Sequence, residues 1–115
     1  MSSIVDFSYL EEMADGKADF VKQVLSIFMD NTPPGLKELE NMIQQEKDFE
    51  TIQKQAHFLK SSFGIVRVEG MSERLQQIET LAREQKERTA IEGIIKEATT
   101  IFTAAEGIIK RKMEQ

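Results

Sequence analysis

Between residues 49 and 66, apolar Phe49, Ile52, Ala56, Leu59, Phe63 and Val66 recur at alternating gaps of three and four. At 3.6 residues per turn such positions share one face, so the stretch predicts an amphipathic helix lying on a core. Asp48 is its predicted N-cap, and the helix should end near Gly64 or Val66. Upstream, Ile4, Val5, Phe7 and Leu10 predict a short helix that Ser3 would cap and Asp15-Gly16 would break. Phe20, Val21, Val24, Leu25, Ile27 and Phe28 give residues 17–30 a broad apolar face, which needs burial against more than one neighbour. Thr32-Pro33-Pro34 then reads as the start of a separate helix packing through Leu36, Leu39, Met42 and Ile43. Threonine can cap there, and proline in the first turn loses no hydrogen bond the helix needs.

After a turn over residues 67–70, Met71, Leu75, Ile78, Leu81 and Ala82 carry the next stripe. So short a connection makes it an antiparallel partner of the preceding helix. Thr89-Ala90-Ile91-Glu92 fits a capping box for a last helix buried through Ile91, Ile94, Ile95, Ala98, Ile101, Phe102, Ala105, Ile108 and Ile109. Ile65-Val66-Arg67-Val68 is too short and isolated to predict a strand. The expected architecture is all-α: an antiparallel four-helix bundle with one or two additional short N-terminal helices, forming one domain over residues 1–115.

Composition narrows the function. The absence of cysteine rules out disulfides and thiolate metal sites. One histidine leaves only carboxylates for a metal, and no Glu-x-x-His pair occurs because position 54 is lysine. No cofactor is expected. Residues 1–6 lack the basic start and apolar run of a signal peptide, no stretch is long enough to span a membrane, and a cytoplasmic location is expected. The net charge of -5 argues against nucleic acid as a partner. That charge is unevenly spread: residues 1–50 hold 11 acidic and 4 basic side chains, residues 51–115 hold 9 and 11. Lys54, Lys60, Arg67 and Arg74 lie in or just after the central helix, where a cationic field would favour an incoming phosphoryl group.

His57 points away from the centre of the apolar stripe, and Gln53, Lys60, Ser61 and Gly64 share its strip of surface. Neutral imidazole is nucleophilic near physiological pH because its unperturbed pKa is about 6.5. A phosphorylated ring would carry roughly two negative charges that Lys60 can offset. Small Ser61 and Gly64 leave room for a partner to bring in a reacting carboxylate. Phe58, also off the stripe, is a candidate anchor for that partner, and Gln53 could bond one ring nitrogen. Nothing marks a hydrolase triad or a glycine-rich phosphate loop.

Ala56-His57-Phe58-Leu59-Lys60-Ser61-Ser62, followed by Met71, Leu75, Ile78 and Glu79, resembles the histidine-containing phosphotransfer (HPt) domain, whose usual pattern is Ala-His-x-Leu-Lys-Gly-Ser and then a helix ending in Leu-Glu. Phe20, Leu25, Phe28, Leu36 and Leu39 resemble the earlier helices of that family. Ser61 and Arg67 stand where it usually has glycine. The resemblance implies a phosphoryl carrier, not an enzyme in the usual sense. His57 would be the acceptor, Lys60 the group that stabilises the phosphoryl oxygens, and Gln53, Lys54, Phe58, Ser61 and Gly64 part of the partner surface. It also implies that the partners are response-regulator receiver domains or a hybrid sensor histidine kinase and that Mg²⁺ is held by the receiver; a monomer is expected, although the sequence leaves the oligomeric state open. The rival reading is a helical docking module that takes no phosphate.

Overall fold

A computed structural model describes residues 3–115. In chain order it contains β1 (Val5–Asp6), α1 (Ser8–Ala14), α2 (Ala18–Gln44), α3 (Phe49–Ser62), β2 (Arg67–Val68), α4 (Met71–Arg83) and α5 (Arg88–Met113). Helices α2 to α5 pack as a closed ring in which α2 and α5 also touch each other. This is the expected four-helix bundle with one short leading helix. At 27 and 26 residues, α2 and α5 overrun the 14-residue α3 and 13-residue α4. Helix α1 packs against α2 at that overhanging end.

Residues 17–44 do not form two helices. Buried Val21, Leu25, Phe28, Thr32, Leu36, Leu39 and Ile43 stay in phase through Pro33 and Pro34, so α2 is continuous. Each interior proline costs about 3 kcal/mol, whereas burying each large apolar side chain contributes about 1.5–3 kcal/mol. The unbroken stripe outweighs the two missing donors. Thr32, expected as a cap, instead lies on the core face at 1% exposure, its hydroxyl without a hydrogen-bond partner among the described residues.

Three further expectations change. Val5–Asp6 and Arg67–Val68 pair antiparallel, Val5 opposite Val68, in a two-residue ladder. Its partner segments are some sixty positions apart, and both buried valines gain from the contact. The first helix accordingly starts at Ser8, where Asp6, not Ser3, accepts from the Ser8 amide at 2.9 Å. At the head of α5 the predicted capping box does not form. The helix starts one residue before Thr89, with Glu87 in the cap position making no side-chain cap bond and Arg88 stacked 4.1 Å from the Phe49 ring centroid.

Candidate functional site on α3 and α4

Asp48 opens α3 as expected, accepting from the Thr51 amide at 3.2 Å and the Thr51 hydroxyl at 2.7 Å. Those two bonds hold its carboxyl below the ordinary range. Ile52, Ala56 and Leu59 are buried along the inner face, and Phe63, just past the helix, stacks edge-on against Phe28 and Phe102. A close approach to α2 locks the rotation of α3. A side chain at Gly35 would come within 2.8 Å of Leu59 Cδ2, and Gln55 Nε2 donates to the Gly35 carbonyl at 3.0 Å. This clamp turns His57 outward, with 64% of its side chain exposed.

The ring meets a residue assigned no role above. Glu79, 3% exposed, sits on α4 beside the buried stripe of Leu75, Ile78 and Ala82. Its two carboxylate oxygens lie 3.1 and 3.0 Å from His57 Nδ1. Lys60 Nζ donates to Glu79 Oε2 at 3.3 Å and to Gln76 Oε1 at 2.6 Å, and Arg83 Nη2 lies 3.4 Å from Glu79 Oε1. Burial pushes the Glu79 carboxyl up, but hydrogen bonds from His57 and Lys60 and the Lys60 charge outweigh it, so the net shift is downward. An ionised carboxylate only accepts. His57 Nδ1 therefore carries the proton, and in the neutral ring the lone pair sits on Nε2, away from Glu79. This arrangement makes Nε2 a nucleophile without a separate base.

The other predicted site residues spread out. Gln53 is half-buried, and the ring's partner is Glu79 instead, because α4 brings a charged acceptor against Nδ1. Lys54 pairs with Glu50 at 3.1 Å, one turn back along α3. Ser61 donates to the His57 carbonyl at 3.3 Å, and Gly64 lies in the turn past the end of α3. Arg67 stacks over Tyr9 at 4.9 Å and Arg74 folds back on the Gly70 carbonyl at 3.2 Å, so Lys60 and the unanticipated Arg83 supply the positive charge around Glu79. The signal for Glu79 was a carboxylate intruding beside an apolar stripe.

Phe58 is 55% exposed and lines a groove of about 260 Å³ between α2 and α3. Ile27 at 55% and Ile65 at 39% exposure flank it, so an apolar surface runs along the α2 side of α3 through Phe58, the residue after the histidine. Among the described residues no group of three or more His, Cys, Asp or Glu side chains is arranged to hold a metal ion, and no helix is long and apolar enough to cross a membrane.

No curated protein and no solved structure matches the chain. The model of one family, described as the Hpt domain, matches residues 23–106, which takes in most of α2, all of α3 and α4, and α5 as far as Glu106. Hpt domains serve phosphorelays as histidine phosphocarriers, not as enzymes. With most of its 115 residues matched and a helical bundle presenting a lone histidine, the chain belongs to the Hpt domain family.

Proposed function

We propose that His57 accepts a phosphoryl group from the phospho-aspartate of one receiver domain and passes it to an aspartate of another, in the cytoplasm. The observation that carries this reading is the exposed ring whose Nδ1 is engaged by buried Glu79. In the forward step the Nε2 lone pair forms the N–P bond while the P–O bond to the donor aspartate breaks, its electron pair leaving on the carboxylate. Nδ1 keeps its proton, so the ring becomes cationic, and the Glu79 carboxylate offsets that charge. Lys60, 27% exposed and already within reach of the ring's anchor, turns to the phosphoryl oxygens. The reverse sequence delivers the group to the second receiver, and the protonated ring is the better leaving group. Mg²⁺ belongs to the receiver in this scheme and would neutralise the aspartyl phosphate there. Ile27, Phe58 and Ile65 offer the receiver an apolar footing beside the reacting atoms. Gln53, Lys54, Ser61 and Gly64 form the polar remainder of that surface.

The same apolar groove favours the one rival worth testing, a docking module that accepts no phosphate. Incubation with a phosphorylated receiver separates them. Acid-labile, alkali-stable label on the wild type that is absent from His57→Gln is the expected result; equal docking by both proteins with no label on either would establish the rival.

A further inference from the structure

Glu79 is a carboxylate buried to 3% exposure and surrounded by three cationic or protonated groups, only one of which the phosphotransfer scheme leaves in place on its own helix. From α3 come His57 and Lys60; from α4 itself comes Arg83, one turn along. An ionised carboxylate withdrawn from water needs compensating charge, and without it takes up a proton instead. Lys60 supplies that charge at rest, but the proposed chemistry draws Lys60 toward the phosphoryl oxygens. During transfer Glu79 would keep only the ring it is meant to polarise, unless another cation stays.

We infer that Arg83 is a positioning residue that keeps Glu79 ionised, and hence the His57 proton on Nδ1, while Lys60 is engaged with the phosphoryl group. The inference rests on the phosphotransfer reading, although its first test does not. The geometry divides the carboxylate: Lys60 meets Oε2 at 3.3 Å and Arg83 meets Oε1 at 3.4 Å, so departure of one leaves the other's contact intact. Arg83 is 57% exposed, so its contribution at rest, beside Lys60, is small. Its effect grows when, among the described residues, it is the one fixed cation left at the carboxylate. If Glu79 instead took the proton, it would donate to Nδ1, and the ring's own proton would move to Nε2. That tautomer has no lone pair on the attacking atom.

Lys60→Met imitates the state in which the lysine has left, so a double-variant cycle exposes the role of Arg83 without any phosphate. Nitrogen chemical shifts of the His57 ring at neutral pH report which nitrogen carries the proton. Wild type, Lys60→Met and Arg83→Met should each keep it on Nδ1. Combining the two should lower the Nδ1–H to Nε2–H ratio about fivefold, the scale of one partly exposed charge contact. Lys60→Met with Arg83→Lys should recover it. Because both side chains reach solvent, the variants are expected to fold, and their melting curves check this; the lysine-rescued variant carries the test should the double variant melt early. With a phosphorylated receiver, Arg83→Met should lower the maximal transfer rate about fivefold while leaving the half-saturating receiver concentration unchanged. An unaltered tautomer ratio in the double variant, or a wild-type maximal rate in Arg83→Met, overturns the inference. Failure of the wild type to take label would sink the phosphotransfer reading instead, and the tautomer cycle would still decide what Arg83 does to Glu79.

Discussion

Glu79→Gln isolates the contribution of one negative charge at nearly constant volume. The glutamine side chain fits the same buried position, so no cavity opens, but its amide can either accept from Nδ1–H or turn over and donate to Nδ1. The carboxylate could only accept. A hydrogen bond to a charged group contributes about 1.5–3 kcal/mol and a neutral one about 0.5–1.5 kcal/mol. The His57 side chain is 64% exposed, which places the loss toward the small end of that difference, about 1 kcal/mol. One pKa unit or tenfold corresponds to about 1.36 kcal/mol, so the Nδ1–H to Nε2–H ratio should fall about fivefold. Transfer should slow by up to the same factor, because only the Nδ1–H form presents a lone pair at Nε2. Ring nitrogen shifts measure the first quantity, and single-turnover label transfer from a phosphorylated receiver measures the second. If Glu79→Gln leaves both as in the wild type, the carboxylate does not select the tautomer, and the proposed basis for nucleophilicity is wrong. A shifted ratio with an unchanged rate would mean that the proton's position does not limit transfer.

Thr32→Val should stabilise the protein by about 1–2 kcal/mol, since it removes a hydroxyl that is buried without a partner and keeps a β-branched shape. Thermal melting should rise by several degrees, about 4 °C per kcal/mol for a chain this long, and a lower midpoint would contradict the orphaned hydroxyl. Acid should destabilise the fold. Glu79, Asp48 and Asp6 all have folded-state pKa values below their unfolded ones, so the unfolded chain binds more protons as pH falls. Their contribution is fully present above the unfolded values, about pH 4, and is lost as pH drops through the folded ones. Urea midpoints should therefore be flat near neutrality and decline below about pH 4, with a shallower decline in Glu79→Gln; a midpoint that rises on acidification would contradict these shifts.

Periodicity alone determined the helical class, the inward faces of α3, α4 and α5, and the outward turn of His57 and Phe58, because a stripe at 3.6-residue spacing fixes which side chains leave the core. The cap at Asp48 was legible for the same local reason, its acceptor lying three residues from the amide it serves. Where local and global preferences conflict, the sequence misleads. Thr32-Pro33-Pro34 has the chemistry of a helix start, and only the continuous packing of α2 against α3 and α5 carries the helix through it. The ladder of β1 with β2 joins segments whose pairing no local pattern announces. The same holds at the site. Lys60 could be placed beside His57 from spacing on one helix, whereas Glu79 is 22 positions away and reaches Nδ1 only because α3 and α4 fold back antiparallel. Chain pattern thus decided which ring is exposed, and tertiary packing decided which of its nitrogens holds the proton, since a buried charge acts only on what the fold brings to within about 3 Å of it.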